Sequence, residues 1–185
     1  MRSVAALGVL VAAAACAAGG AESAVGLDGN VRNPFASAAR ARVFLFVRTD
    51  CPITNRYVPE LQRLSQEFEG RGAEFWLVYP DPAATVPGIR EHVAQYSFPG
   101  TPLRDPRHQL VKLARATVAP EAAVFDAAGR LVYHGRIDDR WVNPGQARPA
   151  ARTHDLEDAV SAVLAGRMPA TSETRAVGCW LSDVQ

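Results

Sequence analysis

A cysteine-proline pair between an apolar run and a helical pattern constrains this chain more than any other stretch. Residues 43–47 (Val-Phe-Leu-Phe-Val) are apolar, β-branched or aromatic, which predicts a short buried strand. After Cys51 and Pro52, apolar residues recur at intervals of three or four, at Ile53, Tyr57, Leu61, Leu64 and Phe68. This spacing predicts one buried face of a helix, with Pro52 at its first position, where a missing N–H leaves no hydrogen bond unmade.

Cys51 therefore lies at a predicted strand-to-helix junction. A thiolate there would face unpaired N–H groups and the positive end of the helix dipole, both of which lower its pKa. Arg48 and Arg56 would add positive charge, whereas the neighbouring Asp50 would raise the thiol pKa. The alternatives are an inert core cysteine and ordinary solvated arginines. We predict a reactive Cys51, with Arg48 and Arg56 stabilising its thiolate.

Composition limits the class of protein. The 185 residues are 48% hydrophobic and 21% charged, which predicts one domain with a sizeable core. A net charge of +1 gives no electrostatic basis for binding nucleic acid or an anionic membrane surface. No sequence feature argues for an oligomer, so a monomer is the expectation.

Residues 1–24 have the pattern of a signal peptide. Arg2 supplies the positive end, and residues 4–18 are apolar but too few to span a bilayer. Cleavage is expected among the small residues that end this region. Lipidation of Cys16 is the alternative, although the alanines before it match a lipoprotein signal poorly. Either route predicts a periplasmic or extracellular protein with no membrane span, in a compartment where disulfides persist.

The order of predicted elements is β-α-β-α followed by a hairpin and a last helix. Residues 25–40 are predicted as a leading loop with one short strand. The predicted strands are 42–48 and 74–79, and the predicted helices start at Pro52, Thr85, Asp105 and Leu156. Two apolar runs around Gly129 predict a β-hairpin, and residues 138–153 a long functional loop. The alternation of strands and helices predicts parallel strands with crossover helices.

Pro59, eight residues after Cys51, should kink the first helix. A strand, then Cys-Pro-x-x, then this proline resembles the active-site region of the thioredoxin-like superfamily. The resemblance is closest to its redoxin branch, which includes alkyl hydroperoxide reductase/thiol-specific antioxidant proteins and periplasmic thiol–disulfide proteins. It implies an α/β fold with a central mixed β-sheet flanked by helices, over a domain of residues 25–167 and a tail of residues 168–185. It implies no metal or organic cofactor, and protein thiols or disulfides as partners.

The resemblance also implies roles for residues away from Cys51. Pro120, which opens the first hairpin strand, would be a cis-proline facing the cysteine, and Ala119-Pro120 would form a wall of the substrate site. The alternative is an ordinary trans proline at a strand start. Thr54 stands where a dithiol site carries its second cysteine. Its hydroxyl can hydrogen-bond a thiolate but cannot resolve a mixed disulfide, and the alternative is local bonding to the helix backbone.

The peroxidase pattern of the family fits incompletely. Peroxiredoxins place Thr or Ser three residues before the reactive cysteine, where this chain has Arg48, with Thr49 one step later. A shift of one residue in an extended strand turns a side chain to the opposite face. A hydroperoxide-reducing activity through Cys51 is therefore an alternative to thiol–disulfide exchange, not the first hypothesis.

Cys179 lies 128 residues after Cys51, in the tail. It could resolve an oxidised Cys51, form a permanent structural disulfide that pins the tail, or present a thiol to a partner. If Cys179 resolves an oxidised Cys51, the protein is an extracytoplasmic thiol oxidoreductase. If the disulfide is permanent, the protein is a non-catalytic binding module. The sequence leaves these alternatives open.

No metal site is predicted. Copper-delivering relatives in the superfamily use a second cysteine near the first and a histidine before the hairpin, and this chain has neither. The four histidines lack ligand spacing with Cys51 and are predicted to be surface or loop residues: His92, His108, His134 and His154.

Overall fold

The computed structural model describes residues 23–181, so most of the predicted leader, including Cys16, lies outside the described residues. The strands are β1 (Ala24–Gly26), β2 (Val31–Arg32), β3 (Ala41–Phe46), β4 (Ala73–Tyr79), β5 (Thr101–Arg104), β6 (Val118–Ala119), β7 (Glu121–Asp126), β8 (Leu131–Gly135), β9 (Trp141–Asn143), β10 (Gln146–Ala147) and β11 (Cys179–Trp180). The helices are α1 (Pro52–Arg56), α2 (Val58–Phe68), α3 (Val86–Tyr96), α4 (Gln109–Ala114) and α5 (Asp155–Leu164), with a 3₁₀ turn at Glu69–Arg71.

Seven strands form one mixed sheet in the order β2-β1-β5-β4-β3-β7-β8. β3, β4 and β5 are parallel and are joined by crossover helices, whereas β7 runs antiparallel to β3 and forms a hairpin with β8. The predicted α/β architecture, with a mixed central sheet flanked by helices, is confirmed.

β3 is buried on both faces because helices cover both sides of the sheet. Val43 and Leu45 belong to a core shared with α2, α3 and α5, while Phe44 and Phe46 pack in a second core with α4. Side chains alternate between faces along a strand, so one run of six residues can serve both cores. The carboxyl end of β3 therefore delivers the following loop, with Cys51, to a rigid position.

The predicted kink is confirmed as a break between α1 and α2. Pro59 is in the first turn of α2, where no N–H is needed, and the chain turns at Tyr57 just before it. The Tyr57 hydroxyl donates to the Asp138 carboxylate, with an O–O distance of 2.6 Å. This buried contact fixes the break against the loop that follows β8.

Several predicted elements differ from the structure. α4 begins at Gln109, not at Asp105, because the Asp105 carboxylate accepts the N–H groups of Gln109 (2.8 Å) and Val111 (3.0 Å) from outside the helix. The strand β5 precedes it and was not predicted. Residues 138–153, predicted as a loop, contain the hairpin of β9 and β10, and the leading segment has two short strands rather than one.

Between residues 23 and 181, none of the helices combines the length and the apolar character needed to cross a bilayer.

Candidate active site

Cys51 is the residue that precedes α1, with extended backbone angles (φ −93°, ψ 110°), and Pro52 is the first helical residue. Its carbonyl oxygen accepts the N–H of Asn55 at 3.3 Å, which is the first hydrogen bond of the helix. The side chain is fully buried, against the core under α1 and α2. The predicted strand-to-helix junction is therefore where the structure places Cys51.

Cys51 and Cys179 form a disulfide that closes a loop of 128 residues. Their Cα atoms are 6.1 Å apart, within the range that disulfides occupy without backbone movement. Cys51 is inaccessible to solvent, while Cys179 is partly exposed. The two cysteines that the sequence singled out are thus joined.

The Ala119–Pro120 peptide bond is cis, as the resemblance implied. The Cys51 Sγ atom lies 3.1 Å from the carbonyl oxygen of Ala119, so the residue before the proline contacts the Cys51 sulfur. This contact places Ala119, the residue before the cis-proline, beside the disulfide.

Within the predicted tail of residues 168–185, residues 172–181 are held at two places. From here on, the word tail means this segment of residues 172–181. At the first anchor, Ser172 accepts the backbone N–H of His134 (3.0 Å), and Thr174 donates its own to the His134 carbonyl (3.1 Å). The Thr174 hydroxyl also pairs with the Tyr133 hydroxyl at 2.7 Å and accepts the N–H of Arg136 at 3.1 Å. This anchor joins the tail to β8 without any covalent bond.

At the second anchor, the tail adds β11 as an antiparallel strand to β6. Cys179 lies opposite Ala119, and Trp180 lies opposite Val118. One residue further, the N–H of Leu181 donates to the Thr117 carbonyl at 3.0 Å. The disulfide therefore crosses from α1 to a strand that already pairs with the segment before the cis-proline.

Arg48 connects the loop before Cys51 to the tail. Its guanidinium makes two hydrogen bonds to the Asp50 carboxylate (2.9 and 2.8 Å), and it donates a third to the Trp180 carbonyl at 3.3 Å. The Arg48 hydrogen bond lowers the pKa of the Asp50 carboxyl. Because Asp50 balances its charge, Arg48 contributes less positive potential than a free arginine would. Arg56 is exposed and lies over the Trp141 ring, 5.6 Å from its centroid.

Thr54 occupies the third position of α1 and is fully buried. Its hydroxyl oxygen has no hydrogen-bond partner among residues 23–181. Buried hydroxyls are normally paired, so an unpaired one calls for an explanation. Thr54 lies three residues after Cys51, which is the residue that precedes the helix.

Sequence reasoning missed Glu121 and His134. Glu121, next to the cis-proline, is buried, and its carboxylate accepts the N–H groups of Thr117 (2.8 Å) and Val118 (3.2 Å), which shapes β6. His134 lies with Nδ1 3.6 Å from Glu121 and Nε2 3.4 Å from Glu173 of the tail. The available signal was an acidic residue in an otherwise apolar strand, because a buried carboxylate requires donors.

An open groove of about 870 Å³ lies between the first and second anchors of the tail. Its charged and aromatic lining residues are Arg115, Glu121, His134, Glu173, Arg175 and Trp180. The groove makes the middle of the tail accessible, whereas its two ends are attached.

The prediction of surface or loop positions is wrong for His92, which is buried in α3, and for His134, which lies in β8 with its side chain 12% exposed. His108 is in a loop, as predicted, but it is buried. His92 bridges the Tyr79 hydroxyl (2.9 Å) and the Asn55 side-chain oxygen (2.8 Å), and burial lowers the pKa of its imidazole. α3 thus buries a hydrogen-bonded histidine.

The described part of the chain brings together one trio of side chains with metal-ligand chemistry: Glu60, His154 and Glu157. All three are at least partly exposed, and Arg63 already pairs with both glutamates. Arg63 therefore already offsets part of the negative charge that this trio would offer a cation.

The family model described as AhpC/TSA family matches residues 28–134, which is more than half of the chain. The chain belongs to the AhpC/TSA family. The match includes Cys51 and Pro120 but ends before the tail, so the AhpC/TSA model covers one cysteine of the disulfide and not the other.

Solved structures share the fold of this AhpC/TSA chain. A hypothetical protein from Sinorhizobium meliloti is 24% identical, with a TM-score of 0.70, over 86% of this chain and 91% of that one. An uncharacterized conserved protein from Geobacillus kaustophilus is 23% identical, with a TM-score of 0.74, over 86% of each chain. A secreted disulfide oxidoreductase from Mycobacterium tuberculosis is 18% identical, with a TM-score of 0.53, over 78% of this chain and 94% of that one. No curated protein is significantly similar to the chain.

Proposed function

We propose that the protein is a thiol–disulfide oxidoreductase in which Cys51 is the nucleophile and Cys179 the resolving thiol. The observation that carries this proposal is the Cys51–Cys179 disulfide, formed at a helix start and in contact with the residue before a cis-proline. A disulfide that only pinned the tail would not need this position. The fold shared with a secreted disulfide oxidoreductase agrees with the proposal.

The reaction requires two exchange steps. In the reduced protein, the Cys51 thiolate attacks a sulfur of a partner disulfide, forms a mixed disulfide and displaces the partner's other sulfur as a thiolate. The Cys179 thiolate then attacks the Cys51 sulfur, forms the observed disulfide and releases the partner's second thiol. The partner gains two electrons and the protein loses two, and a protein dithiol running the same steps in reverse restores the starting state.

Other residues would support the thiolate and the partner. The Thr54 hydroxyl, unpaired in the disulfide form, would donate to the Cys51 thiolate once the disulfide opens. Arg48 and Arg56 would supply positive charge, with Arg48 weakened by Asp50. Ala119 and Pro120 would form the edge against which a partner's chain lies.

We further propose that the protein works outside the cytoplasm, in the periplasm or the extracellular space. The signal-peptide pattern of residues 1–24 and a disulfide between the two remaining cysteines support this location, because disulfides persist in oxidising compartments. Lipidation at Cys16 would give the same location with an anchor.

A static disulfide is the second candidate, and one observation favours it. Cys51 is fully buried in the disulfide form, and buried structural disulfides resist reduction. The protein would then be a binding module whose tail is permanently pinned. A peroxidase that uses Cys51 is a third possibility, consistent with the family's antioxidant members.

The test mixes the reduced protein with a second protein that contains a disulfide. Samples are quenched by alkylation at fixed times, and the covalent species formed are identified by mass. Exchange predicts that the Cys179→Ser variant accumulates a mixed disulfide at Cys51, whereas the Cys51→Ser variant forms none. If neither wild type nor Cys179→Ser ever forms a mixed disulfide, the proposed exchange is wrong. A parallel sample with a hydroperoxide and a sulfenic-acid probe separates the peroxidase from the static module.

A further inference from the structure

The tail occupies an edge at which another chain could dock. β6 is paired by the described residues only to the tail, through two residue pairs and one additional hydrogen bond from Leu181 to Thr117. Adding an extended segment to an exposed strand edge is a common way to recognise peptides, because main-chain hydrogen bonds supply affinity and alternate side chains supply specificity. The tail therefore shows what kind of segment fits this edge.

Glycine is required just before the cysteine. Gly178 comes so close to β6 that a Cβ atom on it would overlap the Ala119 carbonyl group. Ala119 has no free space to retreat into, because it is fully buried and its carbonyl also contacts the Cys51 sulfur. Any chain that brings a cysteine to Cys51 in this register would meet the same carbonyl.

The residues two places from the cysteine, on either side, are apolar and packed. Val177 packs against the core that contains Cys51, and Leu181 is buried against the core on the other face of the sheet. Trp180 lies between the cysteine and Leu181 and is 76% exposed, so the edge does not select the side chain at this position. The pattern that fits the edge is thus apolar–Gly–Cys–any residue–apolar.

We propose that residues 177–181 are an intramolecular stand-in for the partner protein, and that the partner docks on β6 with an extended apolar–Gly–Cys–x–apolar segment. This inference rests on the proposed function and adds the class of its substrate. Reduction of the disulfide releases Cys179, the segment of residues 177–181 leaves the edge, and the partner's segment replaces it. The Cys51 thiolate then attacks the partner cysteine's sulfur and displaces the thiolate bonded to it, as in the two steps above.

The first anchor keeps the displaced tail near the site. Ser172 and Thr174 are held by hydrogen bonds to β8 that do not involve either cysteine. A tethered thiol has a high effective concentration, so Cys179 can return to resolve the mixed disulfide without a second collision. The tail thus competes with the partner for β6 and also completes the reaction.

The first arm of the test uses peptides and the reduced Cys179→Ser variant of the exported protein. Three hexapeptides carry the sequence of residues 176–181 with Gly, Ala or Val at the position before cysteine, and each cysteine is joined to a 2-thiopyridine group. Attack by Cys51 forms the Cys51–peptide disulfide and releases 2-thiopyridone, which is followed by absorbance. The expected result is a Gly peptide that reacts about tenfold or more faster than the Val peptide, with Ala between them. Equal rates for the three peptides overturn the inference.

The second arm alters the tail. In the Cys179→Ser background, Gly178→Ala should weaken the tail's hold on β6 and raise the rate with the Gly peptide severalfold. The matched control is Gly70→Ala, because a Cβ at Gly70 meets no atom within 4 Å. A Gly178→Ala variant that reacts no faster than Gly70→Ala contradicts the competition between tail and partner. The peptide arm does not depend on the folding of either glycine variant.

A small reagent separates failure of this inference from failure of the proposed function. Dithiodipyridine needs no docking edge, and its reaction reports only whether Cys51 is nucleophilic. Rapid reaction with this reagent but equal rates for the three peptides would leave the exchange chemistry standing and refute the docking pattern. No reaction with the reagent or any peptide would refute both.

Discussion

The two anchors of the tail differ in what holds them. The first anchor, at residues 172–174, consists of backbone and hydroxyl hydrogen bonds to β8, and Gly135 lets Thr174 approach closely because a Cβ there would overlap it. The second anchor, at residues 179–181, consists of a two-residue strand pair, a hydrogen bond from Leu181 to Thr117 and the disulfide to Cys51. Arg48 adds a hydrogen bond to the Trp180 carbonyl. A change in redox state acts directly on the second anchor and leaves the bonds of the first intact. Under the proposed function, reduction of the disulfide would therefore open the tail at the second anchor only.

The two anchors should therefore contribute differently to the stability of the fold and to thiol–disulfide exchange. Residues at the first anchor should affect stability equally in both redox states. Residues at the second should affect exchange, or stability in only one redox state. The following predictions test that division, in order of decreasing expected effect.

Replacing Cys51 should abolish exchange. Cys51→Ser removes the nucleophile, so we expect the rate with a disulfide substrate to fall by about a thousandfold or more. Cys179→Ser should retain the first step, a mixed disulfide, and lose turnover. Quenching the reaction by alkylation at fixed times and measuring the mass of the products distinguishes the two variants. Equal activity of Cys51→Ser and wild type would refute the assignment of Cys51 as the nucleophile.

Opening the disulfide should lower the free energy of unfolding. A cross-link over 128 residues restricts the unfolded chain, and its loss costs about 2–4 kcal/mol in typical cases. Urea unfolding of oxidised and reduced wild type measures this difference. Hydrogen exchange on the reduced protein should show Thr174 still protected and Leu181 exposed, whereas loss of protection at both residues would contradict a tail that opens at one end.

Thr174→Val should destabilise both redox states alike. The substitution keeps the side-chain shape but leaves the N–H of Arg136 without its acceptor and Tyr133 without one of its partners. We expect a loss of about 1–3 kcal/mol, measured by urea unfolding with and without reductant. Thr171→Val, at an exposed position near the tail, is the matched control and should change little. A loss confined to the oxidised form would mean that the first anchor depends on the disulfide.

Thr54→Val should slow exchange while leaving the oxidised protein as stable or slightly more stable. The variant removes a buried hydroxyl that has no partner in the disulfide form, so its removal costs no hydrogen bond there. The reduced form would lose a donor to the thiolate, and we expect about a tenfold slower attack and a raised Cys51 pKa. The pH dependence of alkylation in the Cys179→Ser background measures that pKa. An unchanged pKa would show that Thr54 does not contact the thiolate.

Local patterns in the sequence predicted the elements around Cys51 well. β3, the break at Pro59 and the hairpin of β7 and β8 each have a strong local signal: an apolar run, a proline at a defined distance and a glycine turn. The start of α4 was misplaced because Asp105 caps from four residues away, through a loop whose path no local pattern reveals.

The arrangement of the site depended on contacts distant in sequence. The sequence left open whether Cys179 pairs with Cys51 or presents a free thiol to a partner, because spacing says nothing about where a tail returns. The strand pairing of β11 with β6 involves only two residues, too few to produce a periodic pattern. The need for glycine at position 178 depends on the Ala119 carbonyl beside it, a contact between residues far apart in the sequence. Similarly, His92 was misjudged because its partners, Tyr79 and Asn55, come from other elements.

The most direct test of the proposed redox site is the thiol state of the purified protein across a series of glutathione redox buffers. The protein is equilibrated in each buffer under native conditions and quenched with acid. It is then denatured, alkylated at a pH where thiols ionise, and analysed by intact mass and peptide mapping. The account predicts one reversible two-electron transition in which Cys51 and Cys179 become alkylated together and oxidant joins them again. A disulfide that stays closed in every buffer until the protein is denatured, or two thiols that never join, would contradict it.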